Sequence, residues 1–385
     1  MKKTIILSLI LISTLVLASC DSNNPPNGLA TLTPYEGCDV SRLDGYVCVW
    51  ADEFTGETLD ESKWNVEVNG FGGGNNELQF YREENISVSE GHLLIEARKE
   101  YFGGKSYTSG RINSKYKGEF TYGKAVVAAQ VPTGKGTWSA VWMLPTMNTY
   151  GGWPHSGEID IMEHVGYDHN RVHASTHTTK FNHLNDVNQA LTFSKTLYEA
   201  TTQLNVYELE WSPGNMRVTV NGDRIGEFNF TPAFNQDVSY DDVYPFDQPF
   251  HFILNVAVGG IWGGVEGVDD RIFPAVMKVD YVRFYQMDHA SLDRENPSAP
   301  EDIRKMSSLN QGIFWKPSRD DTGVEKYAVY VDGEFFDFTN LNQYTFVNRI
   351  PFKLLMPGRT YNIQIRAIDF TGRESGFSET FELTL

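Results

Sequence analysis

Cysteine is nearly absent from this sequence, with three among 385 residues, so disulfides can contribute at most one crosslink. Basic charge is also short: 32 Lys and Arg face 50 Asp and Glu, a formal net charge of −18. Nucleic acid and anionic membrane surfaces both require a basic patch, so neither is an expected partner. A neutral polymer such as a polysaccharide suits this balance. Long amphipathic helical patterns are scarce. Hydrophobic residues nevertheless make up 41% of the chain, enough for a sizeable core, and aromatics reach 13%.

What is present begins with "MKKTIILSLILISTLVLASC". Lys2 and Lys3 form a basic start, and Ile5 to Leu17 an apolar run too short to span a bilayer. Leu17-Ala18-Ser19-Cys20 resembles a bacterial lipobox. The resemblance implies cleavage after residue 19, a diacylglycerol on Cys20, and export to a lipid-anchored position, at the outer membrane or cell surface. Loss of Lys2 and Lys3 makes the net charge two units more negative. Residues 20–44, which include "DSNNPPNG", are expected to be a tether. Cys38 and Cys48 can form a disulfide in an exported protein or remain two thiols.

From residue 45 to 288 the sequence is a succession of short alternating stretches. "GHLLIEARKE", "KAVVAAQVP", "VYELEWSP" and "PFHFILNVAVGG" are examples, with turn signals such as Asn221-Gly222 between them. That pattern predicts one all-β sandwich. The stretch "DHASLDRENPSAPEDIRK", with two prolines and many charges, marks a linker, taken as residues 289–299. Residues 300–385 read as a second, smaller β-sandwich. Trp315, Tyr361 and "AIDFTGRESGFSE" resemble a fibronectin type III domain, which suggests a spacer or docking module.

The stretch "WPHSGEIDIMEHVG", residues 153–166, carries the chemistry. Glu158, Asp160 and Glu163 interrupt an otherwise apolar strand, and an ionised carboxylate removed from water costs on the order of several kcal/mol. Strict alternation puts Glu158 and Asp160 on one face but turns Glu163 inward with Ile159 and Ile161. One β-bulge near Ile161-Met162 re-phases the strand. All three acids then share a face, and Ile159, Ile161 and Val165 are expected in the core. Paired carboxylates across a glycosidic bond are what glycoside hydrolysis requires. Three adjacent acids cannot all ionise easily, so their titrations couple and Glu163 is expected to hold a proton as general acid. Clustered acids could instead bind a divalent cation or form a solvated edge.

"GEIDIMEHVG" resembles the signature of glycoside hydrolase family sixteen, in the bulged E-x-D-x-x-E form of its laminarinase-like branch. "GGGNNELQFY", "YTSGRINSK", "GTWSAVWMLP", "VHASTHT", "FHFILNVAVGGIWGG" and "VDYVRFYQ" extend the match in order. The resemblance implies a β-jelly-roll and a retaining mechanism with Glu158 as nucleophile, Asp160 as its assistant and Glu163 as acid/base. It implies sugar contacts from Asn75, Arg111, His177 and Asn255. Trp138, Trp142, Trp153 and Trp262 are candidate stacking surfaces for sugar rings. A structural calcium ion is implied at Glu53, Gly91 and Asp280, with no cofactor needed for catalysis. The expected activity is endo-hydrolysis of β-1,3-glucan (laminarin) or mixed-linkage β-1,3/1,4-glucan. A non-catalytic glycan-binding lipoprotein, or a same-family hydrolase of a galactan such as agarose, is the alternative.

Overall fold

The computed structural model describes residues 31–185, 189–230, 240–306, 312–346 and 355–385. The signal segment and Cys20 lie outside the described residues. Most of the chain to Met287 forms two stacked antiparallel sheets, as the alternating stretches predict. One sheet has nine strands and is built around Ala275–Met287, which pairs with Gly123–Gln130 and Tyr46–Asp52. The other has eight strands, among them, in spatial order, Leu191–Thr196, Arg171–His177, Glu158–Val165, Thr137–Pro145, Phe250–Val258 and Arg111–Asn113. Between the sheets lies a core of alternate inward residues, including Ala125, Val127, Val141, Met143, Ile159, Leu254, Val256 and Phe284. This two-layer jelly-roll is the predicted fold class.

The expected tether does not extend to residue 44. Tyr35 N–H donates to the Cys48 carbonyl at 2.8 Å, Arg42–Leu43 pairs with the next strand, and a Cys38–Cys48 disulfide closes the loop. These contacts make residues from about Tyr35 onward part of the sandwich. The 289–299 stretch is also less free than its composition suggests. It opens with a short helix, His289–Leu292, whose His289 ring stacks on Phe370 at 4.2 Å, and Asp293 behind it is buried. Charge count alone gives no warning that an acid in such a segment will be enclosed.

Beyond it, a three-stranded sheet (Glu301–Lys305, Gly312–Lys316, Gln343–Thr345) faces a four-stranded one (Glu334–Thr339, Val324–Val331, Thr360–Asp369, Phe381–Thr384). Trp315, Tyr327, Tyr361 and Ile363 fill the space between them. Leu341 reaches back into the core of the first sandwich, and Asn340 Nδ2 donates to Asp247 Oδ2 at 3.2 Å.

Candidate active site

The ladder on both sides of Glu158–Val165 breaks where the carboxylates require it. Val141 pairs with Met162, but the next residue, Trp142, pairs with Asp160, so Ile161 is the extra residue. On the other edge Asp160 faces Ser175 and Glu163 faces His173, two positions away, with two residues opposing one. Ile159, Ile161 and Met162 are fully buried in the core. Val165 departs from expectation. Alternation after the bulge puts it on the Glu163 face, where it pairs with Trp138 and is buried outside that core cluster, while His164 takes the inward position.

Register then assembles a row of residues across the sheet. His173, Glu163, Ala140, Asn255 and Arg111 are successive cross-strand partners. One step along, Ser175, Asp160, Trp142, Ile253 and Asn113 form a second row, and Glu158 faces His177. Trp138 and Trp142 flank Ala140 on the same face, so a methyl group floors the space between two indoles beside Glu163.

Each of these indoles donates to an acceptor in the site. Trp138 Nε1 reaches Glu163 Oε1 at 3.1 Å, and Trp153 Nε1 reaches Glu158 Oε2 at 2.6 Å. Trp142 Nε1 bonds Asn255 Oδ1 at 2.8 Å. His177 Nε2 lies 3.3 Å from Asp160 Oδ2. Trp262 stands edge-on to Trp138 at 5.5 Å and to His173 at 4.9 Å. Arg111 spreads over the Trp142 ring, 4.9 Å from its centroid, while its Nε bonds Glu67 Oε1 at 2.9 Å. Asn75 sits farther out. Its carbonyl accepts from Ile261 N–H at 2.8 Å, which ties its loop to the one carrying Trp262.

Burial, and then the charge and hydrogen bond of Glu158, push the Asp160 carboxyl well above the ordinary carboxylate range. Glu163 is also raised well above it, by burial first and by Asp160 next. The His177 ring and the Trp138 hydrogen bond pull it down, though by less. Asp160 and Glu163 are therefore both held toward their protonated forms.

Sequence reasoning passed over several members of the site. Glu77 is 5% exposed and receives Gln79 Nε2 at 2.7 Å and Tyr81 Oη at 3.1 Å. Tyr81 Oη in turn accepts from Asn255 Nδ2 at 3.3 Å. A charged residue within "NNELQFY" was the available signal. His183 packs 5.0 Å from the Trp153 ring and 5.2 Å from His177, and nothing in its sequence neighbourhood marks it. The loop carrying Trp153 is clamped at its base. Tyr150 Oη donates to Asp247 Oδ1 at 2.7 Å, and Ser156 Oγ accepts from Tyr150 N–H at 3.0 Å.

Of the expected calcium ligands, the Glu53 side chain is already engaged. Both Glu53 carboxylate oxygens are taken by Arg283, through Nε and an Nη at 2.7 Å each, and Asp280 faces His92 Nε2 at 3.4 Å. A carboxylate already neutralised by a bidentate guanidinium is a poor side-chain ligand for a hard cation. Gly91 occupies a turn at φ +72°, where glycine meets no steric cost.

A jelly-roll that sets paired carboxylates among indoles, one of them holding a raised pKa, defines a glycoside hydrolase. The profile of "Glycosyl hydrolases family 16" matches residues 73–283. The chain belongs to that family. It is 45% identical over 244 residues to a beta-glucanase of Rhodothermus marinus, covering 62% of this chain and 84% of that protein. The solved laminarinase of Rhodothermus marinus superposes with a TM-score of 0.61 at 45% identity, covering 64% of this chain and 99% of that one. A non-specific endo-β-1,3(4)-glucanase of the same family, solved with a 1,3-β-D-cellobiosyl-glucose at its active site, matches at 39% identity and a TM-score of 0.59. The match covers 63% of this chain and 96% of that one.

Proposed function

We propose that this protein is a retaining endo-β-glucanase that cleaves β-1,3-glucan, mixed-linkage β-1,3/1,4-glucan, or both. The beta-glucanase, laminarinase and endo-β-1,3(4)-glucanase among its relatives support the substrate class. The observation that carries the mechanism is the single extra residue at Ile161, because it brings Glu163 onto the face of Glu158 and Asp160.

In this reading Glu158 attacks the anomeric carbon while Glu163 gives its proton to the departing glycosidic oxygen. A covalent glycosyl ester forms on Glu158. Glu163, now ionised, takes a proton from the incoming water, and the ester bond breaks to release the sugar. Asp160 shares a proton with Glu158 and holds its orientation, while the Trp153 indole fixes the other carboxylate oxygen. Trp138, Trp142 and Trp262 offer ring faces to the glucosyl units, and Arg111, Asn255, His177 and Asn75 offer polar contacts to hydroxyls.

Export and lipid anchoring at Cys20 belong to the same proposal, supported by the residue 1–20 pattern and by a disulfide suited to an oxidising compartment. The C-terminal unit is proposed as fibronectin type III-like. Its three-plus-four sheet arrangement supports this, as does Tyr361 Oη accepting from Met356 N–H at 2.7 Å, five residues upstream.

The test is product release from laminarin, mixed-linkage glucan and agarose by the wild type and by Glu158→Gln. Oligosaccharides from a β-glucan, lost in the variant, are expected. Equal release by both proteins removes Glu158 from the nucleophile role, and release from agarose alone moves the substrate to a galactan. For Glu163→Ala, azide should restore turnover of an activated glycoside as a glycosyl azide of retained configuration.

A further inference from the structure

A second group of carboxylates lies far from the cleft, where the 289–299 stretch meets the C-terminal sandwich. Asp293 belongs to that stretch, Asp320 to the loop before Val324–Val331, and Asp369 ends Thr360–Asp369. One carboxylate oxygen from each comes within 4.8 Å of the others. Asp293 and Asp369 are 3% and 0% exposed.

Each carboxylate has one oxygen held by the scaffold. Asp369 Oδ1 accepts from the backbone N–H groups of Thr371 and Arg373 at 2.8 and 2.9 Å, and from Thr371 Oγ1 at 2.9 Å. Asp320 Oδ2 accepts from Thr322 N–H at 2.9 Å and Oγ1 at 3.2 Å. Asp293 Oδ2 accepts from Thr371 Oγ1 and lies 2.9 Å from Arg373 Nε. The remaining oxygens, Asp293 Oδ1, Asp320 Oδ1 and Asp369 Oδ2, are all buried with no hydrogen-bond partner. Buried acceptors are otherwise almost always paired, so three orphans in one cluster need a common partner. Arg373 offsets only one of the three charges.

We propose that Asp293, Asp320 and Asp369 bind a calcium ion that fastens the inter-sandwich segment to the C-terminal domain. The donor set is oxygen only, which favours a hard divalent cation over zinc or copper. At bond lengths of about 2.3–2.6 Å a Ca²⁺ ion can bridge ligands up to about 4.6–5.2 Å apart, and the three oxygens lie close enough together to share one. Burial first, and the neighbouring carboxylates after it, raise both Asp320 and Asp369, the strain that a cation would relieve. The proposal stands apart from the catalytic reading.

The test uses the whole chain, stripped of metal and titrated calorimetrically with CaCl₂, with thermal unfolding measured in chelator and in about 1 mM Ca²⁺. The wild type should bind with a dissociation constant on the order of 10⁻⁴ M, in the range of extracellular modules. Asp320→Asn and Asp369→Asn should each bind one equivalent fewer, which separates this site from any other on the chain. Asp320 is partly exposed, so its variant should fold. In chelator it should melt no lower than the wild type because a buried like charge is gone, and in Ca²⁺ it should melt lower. A wild type that takes up no Ca²⁺ at millimolar concentration overturns the proposal. So do unchanged stoichiometry in both variants, and a melting gain given by Mg²⁺ but not by Ca²⁺.

Discussion

Trp153→Phe isolates one bond at the reacting centre. The indole N–H meets Glu158 Oε2 at 2.6 Å, a short contact to an ionisable acceptor, while the ring is 37% exposed. Hydrogen bonds to charged groups contribute about 1.5–3 kcal/mol. The exposure argues for the low end, because water screens and partly replaces the lost donor. At about 1.4 kcal/mol per factor of ten, kcat/KM should fall roughly tenfold. Phenylalanine keeps an aromatic face, so ring stacking persists and KM should change little. Trp153→Ala removes both and should raise KM as well. Initial rates on a soluble β-glucan, resolved into kcat and KM, decide the matter. If Trp153→Phe matches the wild type while Trp153→Ala loses affinity, the residue is a stacking surface only and the argument from the hydrogen bond fails.

Asp160→Asn should melt higher than the wild type at neutral pH and be nearly inactive. A carboxyl whose folded pKa is raised adds stability that is complete below its unfolded pKa and is lost as pH rises through the folded value. At pH 7 the wild type therefore bears a cost that Asn avoids. The gain should be about 0.5–2 kcal/mol, or roughly 2–4 °C per kcal/mol, and should shrink toward pH 4 in calorimetry. An equal gain at both pH values counts against the charge argument. Asp247→Ala removes the acceptor of both Tyr150 Oη and Asn340 Nδ2. It should loosen the Trp153 loop and raise KM several-fold with a smaller change in kcat. Asn340→Ala should reproduce part of that rise, and wild-type kinetics in both variants would leave the C-terminal sandwich without influence on the loop.

The bulge was legible because its evidence is local. A period-two strand cannot bury Ile159 and Ile161 while exposing Glu158, Asp160 and Glu163 unless one residue is extra. The same reasoning slipped at Val165, since a single bulge re-phases everything after it and sends His164 inward instead. Trp138 and Trp142 were legible for the same local reason, being four apart on one strand. Glu67, Tyr150, His183 and Asp247 were not, because each matters through a partner that sequence separation hides. Tyr150 meets Asp247 across 97 positions, and Arg111 meets Glu67 across 44. The side-chain ligand expected at Glu53 met such a partner: Arg283, 230 residues away, takes its carboxylate. The Asp293–Asp320–Asp369 cluster, drawn from a linker, a loop and a strand end, had no local pattern at all.

In the proposed mechanism Glu163 must keep its proton, and the donors around its strand are suited to that. A cation touching Glu163 would hold it in place but would also favour its ionised form, and the general acid would be spent before substrate arrived. Among the described residues, no Lys or Arg pairs with Glu158, Asp160 or Glu163; their partners are the neutral N–H groups of Trp138 and Trp153 and the His177 ring. The one guanidinium in the Glu163 row, Arg111, stands three strands away beyond Ala140 and Asn255. At about 4.8 Å per strand their backbones are roughly 14 Å apart, and the guanidinium packs on the Trp142 ring without pairing with Glu163. Its charge is further offset by Glu67 at 2.9 Å. Neutral donors orient the acid with little loss of its proton, and the positive charge is kept where it can meet hydroxyls without draining the acid. An indole therefore suits the position beside Glu163 on electrostatic grounds as much as for its ring, and a lysine there would fix the carboxylate but disarm it.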